Sequence, residues 1–335
     1  MSNIENIIQV RQLLSIDDVI DRVRIMNKFA SADNLAFDFS ALQYIKTVPT
    51  ALFARELRLL IKKRSASGLK TYSLGHDDDK SAALSYLAFT GFFDFIGLAG
   101  FGARVRGVAE VAGRYPYLAI TRYNYKRFQV AAEYDPYRSE YDYIDQEARK
   151  IAELMKTEDV RNSFFGYAVR EILRNAYEHS GSADFYAMGQ AWPDESLELV
   201  VMDDGNGILR TLKQKYPELT SERDAILASI KPGVSGVDFN GKNKYNNSGF
   251  GLYVLSEFAK RFGCITIASG SDLISIDPEG ERCEKVSDDG TLVGIYIKTV
   301  PANVKSIVEK IIADGEKVSI QGAYPIRPSK QTWNL

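Results

Sequence analysis

The chain has 335 residues, 45% of them hydrophobic and 26% charged, with a formal net charge of −2. That is the make-up of a globular protein long enough for about two domains, and a charge so near zero gives no electrostatic case for nucleic acid or an anionic membrane as the main partner. Only two cysteines occur, Cys264 and Cys283, no basic-then-apolar leader follows Met1, and no apolar run reaches membrane-spanning length, so a reduced, cytoplasmic setting is the simple expectation.

Residues 1 to 110 read as a first α/β domain. Ser15-Ile-Asp-Asp is a helix start, with acidic side chains at the positive end of the helix dipole. Leu35 to Leu42 reads as a strand with a polar end, Pro49 to Lys63 as an amphipathic helix, Lys70 to Leu74 as a second strand and Ala82 to Phe89 as a second helix. Strand, helix, strand, helix at this spacing implies parallel pairing. The segment 111–140 reads as a connection that begins beyond a glycine-rich stretch around Gly97 to Gly113. That stretch is a linker or lid: its Gly100-Phe-Gly102 lacks the third glycine and the acidic ribose ligand of a dinucleotide loop, and no Gly-Lys-Ser/Thr marks a phosphate loop. Tyr115 to Tyr125 reads as a strand with aromatic ends.

Residues 141–300 carry the chemistry. Ile144 to Met155 and Val160 to His179 are helical. The second of these ends in Glu171-x3-Asn175-x3-His179, three polar groups at four-residue steps and therefore on one helix face. Two strands follow, Asp184 to Ala191 and Leu197 to Met202, and the second ends in Asp203-Asp204-Gly205-Asn206-Gly207. A long polar insert runs from Pro217 to Asn247. Ser248-Gly249-Phe250-Gly251-Leu252 then opens a helix to Phe262. Cys264 to Ala268 and Thr291 to Lys298 are strands with a polar hairpin between them. Residues 301–335 add a helix and a Pro/Trp tail.

In this order the three boxes resemble those of the GHKL (Bergerat-fold) ATP-binding family of gyrase, heat-shock chaperones, histidine kinases and mismatch-repair ATPases. The Glu-x3-Asn-x3-His form is most similar to the anti-sigma-factor serine kinases. The resemblance implies an α/β sandwich, a mixed sheet under one helical layer, that binds ATP and Mg²⁺. It assigns Glu171 as the base that orients the attacking group, worth about 10²–10⁴ in rate, and Asn175 as the Mg²⁺ ligand. Asp203 becomes the acceptor for an adenine amino group, with Gly205 and Gly207 admitting the base and Thr291 supporting that contact. His179 caps the stripe or touches the lid. Ser248, Gly249, Phe250, Gly251 and Leu252 form the phosphate-binding helix start. Histidine metal sites are not expected, since His76 and His179 are the only two.

The first domain resembles the STAS fold of anti-sigma-factor antagonists in its Asp38-Phe-Ser40 strand end and its Thr90 to Ile96 tail. At the family's phosphoacceptor position stands Val48, with Thr47 and Thr50 as neighbouring hydroxyls, so a docking unit that has lost the switch residue is expected. The combination implies a serine/threonine protein kinase or partner-switching regulator in bacterial signalling. Its protein partners would be a STAS-type antagonist or sigma-factor-like regulator, and a homodimer is left open. Two alternatives stand beside this: an ATP-gated clamp ATPase, for which Lys231, Lys242 or Lys244 would have to reach the phosphate, and a module that binds ATP without turning it over. Histidine autokinase activity is not expected, because no histidine precedes the first box on a dimerisation helix.

Overall fold

A computed structural model describes residues 6–75, 81–97, 117–135, 137–155, 159–236, 249–287 and 289–320. The chain opens with β1 (Asn6–Gln9), β2 (Gln12–Leu13), α1 (Ile16–Lys28), β3 (Asn34–Asp38), β4 (Tyr44–Ile45), α2 (Thr47–Ala66), β5 (Lys70–Leu74), α3 (Ala82–Phe89) and α4 (Phe92–Phe95). β1, β3 and β5 form a parallel sheet in that order, as the strand–helix spacing predicts. α1 and α2 are the crossovers that parallel pairing requires. α1 begins where expected, on a reciprocal cap in which Ser15 and Asp18 each accept the other's backbone N–H.

The second part comprises β6 (Tyr117–Asn124), α5 (Tyr125–Tyr134), α6 (Glu140–Leu154), α7 (Asp159–His179), β7 (Asp184–Ala191), β8 (Leu197–Asp203), α8 (Gly207–Lys213) and α9 (Glu222–Ser229). It continues through α10 (Gly251–Phe262), β9 (Gly263–Ser269), β10 (Asp272–Asp277), β11 (Gly280–Lys285), β12 (Thr291–Ile297) and α11 (Val304–Ile320). The seven strands form one sheet in the order β11-β10-β9-β12-β8-β7-β6. The sheet is not mixed: every neighbouring pair is antiparallel. β8 and β9 do run the same way across a helical crossover, but β12 returns between them and is antiparallel to both. The polar hairpin is β10–β11, and its first strand is buried through Leu273, Ile274 and Ile276. The polar insert, which follows α8, folds in part into α9; residues 237–248, with Lys242, Lys244 and Ser248, lie outside the described residues, as do His76 and the glycine-rich stretch from residue 98 to 116.

Helices cover this sheet on both faces rather than one. Alternation along β8 sends Leu199 and Val201 into a core shared with α7, α10 and α11, and Val200 and Met202 into a core shared with α2. Buried on both faces, β8 reads as a near-continuous apolar run. α2 is correspondingly not a one-sided helix: every residue from Thr47 to Leu57 is buried, because it lies between two sheets. Its buried charges are matched. Arg55 pairs with Glu56 at 2.6 Å and donates to the Asp289 carbonyl, and Glu56 accepts the Ser287 amide at 2.8 Å.

Lys46 gives α2 no side-chain cap, and Glu198 of β8 takes that place. It accepts the Val48 amide at 2.7 Å and Trp192 Nε1 at 3.1 Å. Thr47 and Thr50 are 2% and 0% exposed, and Val48 packs on Gly294 of β12, so the two hydroxyls beside the lost switch position are closed off by the sheet itself. No described helix is long and apolar enough to cross a membrane.

Candidate functional site

Three strands end together at one edge of the sheet. Thr291, the first residue of β12, sits opposite Asp203, the last of β8, and opposite Ser269, the last of β9. Above them the end of α7 and the start of α10 leave a cleft of about 760 Å³, its open mouth included. Asn175, His179, Asp203, Gly207, Gly249, Gly251, Leu252 and Thr291 all line it. Residues more than a hundred positions apart in the chain therefore share one cavity.

Of the remaining expected residues, Ser248 lies outside the described residues, and Glu171, Gly205 and Phe250 sit beside the cleft rather than in it. Glu171 lies behind Gly251, where a Cβ would overlap its carboxylate, so the bare backbone at position 251 leaves that carboxylate its present place against α10. The Glu171 carboxylate is held by Arg170, at 3.1 Å from Nη2 and 3.3 Å from Nε. Gly205 packs under Asp203, and a Cβ there would run into the Ser180 carbonyl oxygen. The Gly205 amide donates to Asp203 Oδ1 at 2.8 Å. Phe250 points away from the cleft, 1% exposed, against Tyr253 and Gly315 of α11.

The electrostatics of the lining are unusual in two places. Burial pushes the Asp203 carboxyl up to about 7, against the Gly205 hydrogen bond and the nearby Arg55 charge, which hold it down. Burial, aided by the Arg174 charge, pushes His179 down to about 4. The ring is therefore neutral near pH 7, and its 3.8 Å approach to Glu178 is not an ion pair under those conditions. Glu178 is instead the partner of Arg174, at 3.0 Å. A third feature is steric: Asn175 Nδ2 is buried without a hydrogen-bond partner. Buried amide groups are nearly always paired, so this one marks a bond left for a ligand or water to make. The two ends of an amide have the same shape, and the position suits either a donor to an anionic oxygen or, rotated, an acceptor toward a cation.

The cleft can thus offer a buried carboxyl that changes charge near neutrality, a free amide, a neutral imidazole, and backbone N–H groups at the start of the twelve-residue α10. Among the described residues no group of three His, Cys, Asp or Glu could hold a metal ion. A cation here would have to arrive with most of its oxygen ligands already attached.

Two hydroxyls at the cleft had no sequence signal. Ser269, beside it, accepts the Ile208 amide at 2.7 Å, and Thr211, which lines it, donates from Oγ1 to the carbonyl oxygens of Gly207 at 2.9 Å and His179 at 3.3 Å. Isolated hydroxyls carry no periodicity; only the Ile208/Leu212 pair, four residues apart after Gly207, announced that α8 would lay an apolar face on the cavity. No protein-family model matches this chain, and no curated protein matches it either.

Proposed function

We propose that the cleft binds ATP together with Mg²⁺, and that the chain is a regulatory protein of the GHKL type: a serine/threonine protein kinase or partner-switching regulator like the anti-sigma-factor kinases. The observation that carries this reading is the convergence of Asn175, Asp203, Thr291 and the Gly249–Gly251 turn on one cavity. Each has a matching part of the nucleotide. Ionised Asp203 accepts from the adenine amino group, and a keto group at that position would be left facing a carboxylate. Asn175 supplies the one protein oxygen that Mg²⁺ needs when phosphates and water provide the rest. Amides at the start of α10 face the phosphates. Gly207 and Gly249, with φ of +73° and +66°, hold the two turns that flank the opening.

The N-terminal unit, with its parallel sheet and buried Thr47, Val48 and Thr50, fits a STAS-like docking part without a phosphoacceptor at that helix start. A second reading has one observation in its favour. Glu171 is engaged by Arg170, so a chain that binds ATP without turning it over, as a ligand-gated interaction module, needs no rearrangement there.

Titration calorimetry with ATP and Mg²⁺ tests the reading. The wild-type chain gives a binding isotherm, and Asp203→Asn weakens it by about 10- to 100-fold. The substituted amide has an acceptor at only one of the two carboxylate oxygen positions, so it cannot take the Gly205 N–H on one oxygen and the base on the other. Absence of heat with the wild-type chain rejects the proposal. Labelled ATP then separates the uses: label on a protein serine or threonine supports the kinase, free phosphate a hydrolase, intact bound ATP the module. Glu171→Ala keeps affinity and removes whichever turnover exists.

A further inference from the structure

α2 belongs to the N-terminal unit, yet its polar residues reach the two chain segments that form the floor of the cleft. Arg58 and Lys62 each approach Asp204 Oδ2 at 3.1 Å, one residue beyond Asp203. One turn earlier, Arg55 donates to the carbonyl of Asp289, two residues before Thr291, and Glu56 takes the Ser287 amide at 2.8 Å. Asp203 and Thr291 are register partners, so one helix holds both halves of that pair from behind. Arg58 is itself fixed, with its guanidinium 4.6 Å from the Phe95 ring centroid, 5.0 Å from that of Tyr186, and 3.3 Å from the Tyr186 hydroxyl.

We infer that Arg58 and Lys62 are positioning residues for the nucleotide cleft. They neutralise Asp204 and pin the β8 exit, so that Asp203 is presented to the base as a carboxylate, and through them the N-terminal unit sets the cleft's affinity. This rests on the nucleotide reading above and adds a control point to it. The physical need is plain in the local charges. Asp203 and Asp204 are adjacent acids at one strand end, and the Asp204 charge pushes the Asp203 carboxyl up while Arg55 pulls it down. Tyr125 and His179, at this end of the cleft, are both neutral near pH 7, and the Glu222 carboxylate, which accepts from Ser269 Oγ at 3.4 Å, brings no positive charge, so none of the three offsets Asp204. The exposed pair with Lys62 adds little to folding stability. Its effect falls on a neighbour whose ionisation is balanced close to neutrality.

The test compares ATP–Mg²⁺ calorimetry of the full chain with that of Arg58→Met/Lys62→Met, which keeps the aliphatic stems and removes both charges. At pH 7 the double variant binds about tenfold more weakly. Its affinity-against-pH curve is shifted to higher pH than that of the wild type, so the deficit shrinks as the solution is made alkaline. Adding Asp204→Asn to the double variant restores the wild-type curve, which a merely structural loss would not do. Thermal denaturation checks that the variants are folded. If the double variant unfolds, Asp204→Asn alone decides: it moves the curve to lower pH, and no movement overturns the inference. Wild-type binding with an unshifted double variant also overturns it and leaves the nucleotide reading intact, whereas no wild-type binding removes both.

Discussion

On the face of the seven-stranded sheet covered by α2, each buried charge has a partner. Arg55 meets Glu56 and the Asp289 carbonyl, and Glu198 takes the Val48 amide and Trp192. On the face under α7 and α10, Asn175 Nδ2 has no partner and Asp203 is desolvated until its carboxyl sits near 7. Among the described residues the Thr47, Thr50 and Ser73 hydroxyls around α2 are also buried without a partner, but none of them lines the cleft, as Asn175 does. One face is built to be closed permanently and the other to be completed by something else, which is the pattern expected of a scaffold and a binding site on the same sheet.

The sharpest way to break the comparison is to open the closed face. Glu56→Ala leaves Arg55 buried at 3% exposure without its carboxylate and strips the Ser287 amide of its acceptor. The expected cost is about 3–5 kcal/mol, read as a lowered denaturant midpoint. Since β8 and β12 are shared by both cores, the loss falls on the whole sheet. A change within about 1 kcal/mol, the ordinary spread for a point mutant, would mean that α2 is a loosely docked helix.

A smaller effect is expected from the other face. Gly205→Ala puts a methyl group into the Ser180 carbonyl and against Asp203, overpacking that costs about 1–3 kcal/mol. Its more telling effect is on ligand affinity, because the Gly205 amide orients Asp203. A stability loss with unchanged ATP affinity would separate Asp203 from the base and blur the contrast between the faces.

How much of this could be read beforehand follows from which signals are local. The α7 stripe was legible because four-residue steps return to one face whatever else the chain does. Asp203 at a strand exit, and α10 from Gly251 to Phe262, were legible for similar reasons of pattern. α2 was not. Arg55, Glu56 and Arg58 made it look one-sided, and the hydrogen-bond partners that satisfy them lie between 128 and 234 positions away, apart from the Arg55–Glu56 pair itself. Glu198 was hidden in an apolar run for the same reason: the helix it caps is 150 residues upstream. The sheet's antiparallel order depends on β12 entering between β8 and β9, a choice that no stretch of either strand announces.

The effect least visible in the wild-type chain comes from two groups of the cleft that oppose each other. His179 falls from 6.5 to about 4 on folding, so the unfolded chain holds the extra proton between those values and the stability of the buried neutral ring is lost as pH falls through that window. Asp203 rises from 3.8 to about 7, so there the folded chain holds the extra proton and stability is lost as pH rises. Over the shared range the two slopes cancel, and these groups leave the wild-type stability nearly flat. Removing either one uncovers the other. His179→Gln gives a chain whose stability falls from pH 4 to pH 7, and Asp203→Asn one whose stability rises from pH 4 to pH 6.5, each by at most about 1.4 kcal/mol per pH unit. Urea midpoints across that range measure both slopes. Because saturating ATP binds the ionised carboxylate, it flattens the His179→Gln profile near its upper end, while three parallel profiles without ligand would mean that the cleft face is no drier than the surface.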